Sequence, residues 1–115
     1  MADEQLILVG SYTRSVSTLA FTPASQPSLI LRSEIEVGHH PSWLTRLPGQ
    51  SKDTIIFTGL EQSNGEIVTI RFDAQGRGST LGSAPSGGRD PCTLEFATID
   101  GAPELVVGNV SMGIL

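Results

Sequence analysis

Apolar positions along the chain come in short runs, and three of the runs look alike. Leu6-Ile7-Leu8-Val9-Gly10, Ile55-Ile56-Phe57-Thr58-Gly59 and Glu104-Leu105-Val106-Val107-Gly108 close on glycines spaced 49 residues apart, twice over. A second marker keeps nearly the same period: Pro41 opens Ser42-Trp43-Leu44, and Pro91 opens Cys92-Thr93-Leu94, 50 residues later. Internal repetition at this length is the mark of stacked β units. The middle unit predicts four strands, over 42–47, 54–60, 66–73 and 79–84. Turns fall at 48–50, at Gln62-Ser63-Asn64-Gly65 and at Gly76-Arg77-Gly78, and a loop from Pro85 to Pro91 leads onward. Asn64-Gly65 reads as a hairpin signal because both residues tolerate positive φ. Strict alternation through 66–73 puts Ile67, Thr69 and Arg71 on one face and Val68, Ile70 and Phe72 on the other.

Composition agrees. Thirteen glycines and seven prolines leave no stretch free of both longer than 12 residues, 11–22. Helix interiors exclude Pro and lose stability at Gly, so a helical bundle is excluded. The chain reads as all-β. Four antiparallel strands in about 49 residues make one β-propeller blade. By this register 5–38 is a first blade without its innermost strand, 41–85 a whole second blade, and 91–115 the start of a third. Leu115 is expected to fall within the third strand of that blade, where no blade would end. Closure needs more blades than this, so the sequence reads as the N-terminal part of one propeller domain. Such a piece exposes its flanks, with 6–9 as an unpaired apolar edge. The expectation is a chain that is unstable or self-associating by itself.

Charge and cysteine content narrow the chemistry. The net charge is −5, with the seven cations scattered singly, which argues against nucleic acid and anionic membranes as partners. The acidic start and four-residue apolar run do not make a secretory signal, and no run approaches a membrane span. A single cysteine, Cys92, excludes a disulfide framework. The expected location is the cytoplasm.

Propeller topology gathers the blade crossings and the loops joining second to third strands on one face. Tyr12, His39, His40, Glu61, Arg89, Asp90 and Asn109 fall there as possible ligand contacts. Adjacent side chains on an extended segment diverge, so His39 and His40 are expected not to share a metal, and a histidine bonded to loop backbone is the plainer reading. Glu61 reads as a buried acid or, more plainly, as a turn cap or partner of a cation. Arg89 and Asp90 could hold an anion or simply be solvated in a glycine-rich loop. Cys92 reads as an ordinary small residue of an inner strand, and Trp43 as packing between blades. No metal or other cofactor is implied, and no Ser–His–Asp spacing is present.

Several motifs are familiar. Val9-Gly10-Ser11-Tyr12-Thr13, His40-Pro41-Ser42-Trp43-Leu44, Glu61, Gly87-Gly88-Arg89-Asp90-Pro91-Cys92 and Gly108-Asn109 occur in order. Together they resemble the lactonase family of seven-bladed β-propellers, although Val110 stands where that family usually carries an aromatic. The resemblance implies about two and a third blades of an expected seven. It also implies hydrolysis of a sugar-acid lactone such as 6-phosphogluconolactone, or closure of 3-carboxy-cis,cis-muconate to its lactone. Either way the partner is a small lactone or carboxylate. The family's catalytic His, Arg and Glu belong to later blades, beyond Leu115, so no catalytic residue is expected in this chain. A non-catalytic propeller scaffold is the reading from another class. WD-type and Kelch-type repeats are not matched, because Trp43 precedes Leu44 and Gly59 and Gly108 stand alone.

Overall fold

A computed structural model describes residues 3–49 and 52–111. Among them are nine strands and no helix. The first sheet holds β1 (Gln5–Val9), β2 (Ser15–Thr22) and β3 (Ser28–Glu36), in that order. The second holds β4 (Pro41–Arg46), β5 (Thr54–Leu60), β6 (Glu66–Phe72) and β7 (Gly78–Pro85). The third pairs β8 (Arg89–Ile99) with β9 (Ala102–Ser111). Every pairing is antiparallel. These are propeller blades, and the repeat glycines fall at equivalent places beside or in β1, β5 and β9. Gln50 of the expected 48–50 turn lies outside the described residues, as do residues 112–115. The third strand expected to contain Leu115 therefore also lies outside them, and the third blade is described only through β8 and β9.

The two sequence markers recur together for a packing reason. A methyl group added at Gly10 would collide with the Pro41 carbonyl oxygen. One repeat later, a methyl group at Gly59 would come 3.2 Å from Pro91 Cβ and 3.3 Å from its carbonyl. Each glycine is therefore the bare backbone against which the proline opening the next blade is seated. Glycine is retained where two backbones approach this closely.

The core lies between the first two blades. Val16, Ile56, Leu60, Val68, Ile70 and Phe72 are buried together, with Leu8, Ile35, Val37 and Leu44 packed against them. The alternation expected of β6 is present: Val68, Ile70 and Phe72 face the first blade, and Ile67 and Thr69 face the third, lining a cleft with Leu105 and Val107. Arg71 escapes to the surface, 3.8 Å from Asp53. Thr18, fully buried, donates to the Gly76 carbonyl at 2.8 Å, and Ser33 donates to the same oxygen at 2.7 Å. Those bonds tie the first blade to the β6–β7 turn of the second. Across the next joint, Phe57 meets Phe96 edge-on and Trp43 Nε1 donates to the Leu94 carbonyl at 2.8 Å. Trp43 joins blades as expected, but by a hydrogen bond from a partly exposed ring.

Two local expectations are corrected. Asn64 and Gly65 do not form a positive-φ hairpin turn, since neither carries positive φ. Gly65 is required for a different reason: a methyl group there would lie 2.7 Å from the Gly88 carbonyl and 2.8 Å from Pro91 Cδ. The crossing between the second and third blades is also shorter than 85–91. β7 runs to Pro85 and β8 starts at Arg89, so Arg89 and Asp90 belong to a strand rather than a loop.

Candidate functional site

Both blade entries are built alike. His40 and Asp90 have φ of 55° and 50°, in the left-handed region. Both precede proline, whose ring disfavours helical backbone before it, and His and Asp are among the non-glycine residues that tolerate positive φ best. The same long-range bond holds each: His40 N–H donates to the Thr13 carbonyl at 2.9 Å, and Asp90 N–H to the Gln62 carbonyl at 2.9 Å. Thr13 and Gln62 are themselves one repeat apart. A β-bulge follows each proline, leaving Ser42 and Cys92 as the extra residues. Bulges re-aim side chains and cluster beside binding sites.

At the first of these entries the candidate residues converge. Because His40 is left-handed, the segment is not extended, and the rings of His39 and His40 meet edge-on with centroids 5.4 Å apart. The expectation that they diverge is thereby corrected. Tyr12 lies over His40 at 4.9 Å with its ring tilted by 36°. His40 Nδ1 is 3.2 Å from the Glu61 carbonyl, which can only accept, so Nδ1 carries the hydrogen. In the neutral tautomer that this bond selects, Nε2 is an acceptor. The Glu61 N–H returns a bond to the His40 carbonyl at 3.0 Å. The backbone bond expected of a loop histidine is therefore present at His40.

Glu61 is neither a turn cap nor half of an ion pair among the described residues. Its Oε2 accepts from Ser42 Oγ at 3.0 Å. The Tyr12 phenol is raised above its usual 10.0, first by hydrogen bonding toward the Glu61 side chain, then by desolvation and by the electrostatics of nearby Glu61, Cys92 and Asp90. Tyr12 nonetheless presents most of its surface, 66%, to solvent. The corner thus offers an open aromatic face, a carboxylate, a hydroxyl and an imidazole acceptor. Ser42 bonds the carboxylate directly, with no imidazole between them, so this is not a hydrolytic triad. Sequence reasoning passed over Ser42; its place after the repeat proline was the available signal.

The remaining candidates sit one blade further on. Arg89 is exposed at the start of β8. Asn109 is occupied in structure: Nδ2 donates to the Ser86 carbonyl at 3.1 Å, and Oδ1 accepts from Ser86 Oγ at 2.8 Å. It clamps the crossing between the second and third blades. Cys92 Sγ points to the Gly108 carbonyl at 3.7 Å, as an inner-strand thiol would. Among the described residues, no group of three or more His, Cys, Asp or Glu is placed to hold a metal. A cleft of about 520 Å³ between Phe57, Ile67, Leu81 and Leu105 is mostly apolar and is lined by no titratable group. It is a seam between blades.

Repeat, blade joint and blade entry together describe propeller blades of one kind. The sequence profile of the family described as lactonase, 7-bladed beta-propeller, matches residues 6–108. The chain belongs to that family. No curated protein and no solved structure gives a significant match to it. Among the described residues of this lactonase-family chain, no helix is long and apolar enough to cross a membrane.

Proposed function

We propose that these blades serve a propeller that hydrolyses a sugar-acid lactone such as 6-phosphogluconolactone, and that Tyr12, His40 and Glu61 bind the hydroxyl-bearing part of the substrate. The observation that carries the reading is the convergence of an exposed aromatic ring, a carboxylate and the free imidazole Nε2 on one corner. Two acceptors beside an apolar ring face suit a ring that donates several hydroxyl hydrogens. The same corner suits 3-carboxy-cis,cis-muconate poorly. Three carboxylates would face the acidic side chains of Glu61 and Asp90. In this reading the reacting groups belong to other blades of the propeller, and these residues bind substrate without turning it over.

Acid release from 6-phosphogluconolactone above spontaneous hydrolysis tests this in a seven-bladed protein carrying these residues. Tyr12→Phe and Glu61→Gln are expected to raise KM about fivefold and to leave kcat nearly unchanged, as lost binding groups do. Turnover by the 115-residue chain alone, or variants that abolish kcat at constant KM, would contradict the assignment.

A further inference from the structure

The outer strand of the first blade carries a feature that its counterpart in the second lacks. Phe21 pairs with Leu29 and Phe72 with Gly78, which aligns the two blades. Leu29, Ile30 and Leu31 therefore correspond to Gly78, Ser79 and Thr80. All three apolar residues are more than half exposed, at 56–57%. The C-terminal half of β3 is held against the second blade through Ser33 and Ile35, while the N-terminal half projects beyond it with both faces open. β3 is also the outermost strand of its sheet, so its far edge carries unpaired backbone groups. Closing blades into a ring covers their faces and leaves this outer edge free.

We propose that the outer edge of β3 pairs antiparallel with β3 of a second copy of this chain, about a two-fold axis at Ile30. The segment Ser28-Leu29-Ile30-Leu31-Arg32 is self-complementary in that register. Ile30 faces Ile30, Leu29 faces Leu31, and Ser28 faces Arg32, so apolar residues meet on both faces and no like charges oppose. A two-fold contact requires this reciprocity, and a three-residue apolar palindrome supplies it. Arg32 is drawn back to its own chain by Glu4 and marks the bulge that ends the pairing window. β7 offers no such window: it opens Gly78-Ser79-Thr80, and its exposed Leu81 stands alone between Thr80 and Gly82. A window this short falls below the roughly 1,000 Å² of a stable interface, so the dimer forms reversibly with rising concentration.

Sedimentation equilibrium of the chain over a concentration series reads the association. Ile30→Lys places two ammonium groups opposite each other on the axis and is expected to weaken the dimer at least tenfold. Ser79→Lys, at the matching place in the second blade, leaves it unchanged. Cross-linking makes the register itself visible. With Cys92→Ser removing the native thiol, Ile30→Cys brings two cysteines directly opposite, at the Cα separation of a strand pair, about 4.5–5.5 Å, which a disulfide spans. Mild oxidation is expected to give a covalent dimer from Ile30→Cys and none from Ser79→Cys. A chain that stays monomeric at every concentration overturns the proposal. So does association that Ile30→Lys leaves intact, or cross-linking through Ile7→Cys on β1 instead.

Discussion

The first and second blades are two copies of one design that end in opposite circumstances. β6 reads Glu-Ile-Val-Thr-Ile-Arg-Phe and is covered on both faces except at Arg71, because the first blade covers Val68, Ile70 and Phe72 and Ile67 is buried toward the cleft that Leu105 of β9 also lines. β3 holds three consecutive apolar residues and is nearly all exposed along its first half. A strand's own hydrophobicity does not decide its burial in this fold. The neighbouring blade does, since each sheet is only one layer and must find cover on both sides.

Truncating one isoleucine in each blade should show the contrast most clearly. Ile70→Ala removes a fully buried side chain from the blade joint and should cost about 3 kcal/mol in chemical denaturation. Ile30→Ala should cost the monomer less than about 0.5 kcal/mol, as surface changes do. Next in size is Gly65→Ala, which forces a methyl group onto the Gly88 carbonyl and should destabilise by about 2 kcal/mol, visible as an earlier unfolding midpoint. Thr18→Val keeps the buried shape and loses the bond to Gly76, whose oxygen Ser33 still satisfies. About 1 kcal/mol is expected, again from denaturant midpoints.

The smallest effect is spectroscopic. Tyr12 is the single tyrosine of the chain, so phenolate absorbance reports it alone. Its titration midpoint should lie above 10.0 and move back toward that value in Glu61→Gln. Because the folded pKa is raised, the phenol's contribution to stability is complete below the unfolded pKa near 10. It is lost as pH climbs through the folded value. A wild-type midpoint at or below 10.0 would remove Glu61 from the phenol's surroundings.

Much of this architecture is legible in sequence because the repeat is written in backbone requirements. Gly10 and Gly59 must be bare, and Pro41 and Pro91 are what they make room for. The alternation of β6 is legible because both of its faces are used. What sequence does not reveal is long-range. The bonds from His40 to Thr13 and from Asp90 to Gln62 hold two pre-proline residues left-handed, and that turns His39 toward His40 and re-aims Ser42 at Glu61. No local pattern announces such a bond. Gly65 misleads for a related reason: beside Asn64 it looks like turn chemistry, yet its neighbour is the Gly88 carbonyl of another blade crossing. Asn109 likewise falls beside a blade crossing by register but spends its amide on Ser86.

The claim that the Tyr12–His40–Glu61 corner is a ligand contact has one direct test. Titrating 6-phosphogluconate, the stable hydrolysis product, into isotope-labelled chain and following amide and imidazole resonances locates binding without requiring turnover. The account predicts saturable shifts at Tyr12, His40, Ser42 and Glu61, with Leu29 to Leu31 unmoved. Resonances of that corner that stay fixed at millimolar ligand, or shifts confined to the apolar cleft at Phe57 and Leu105, would contradict it.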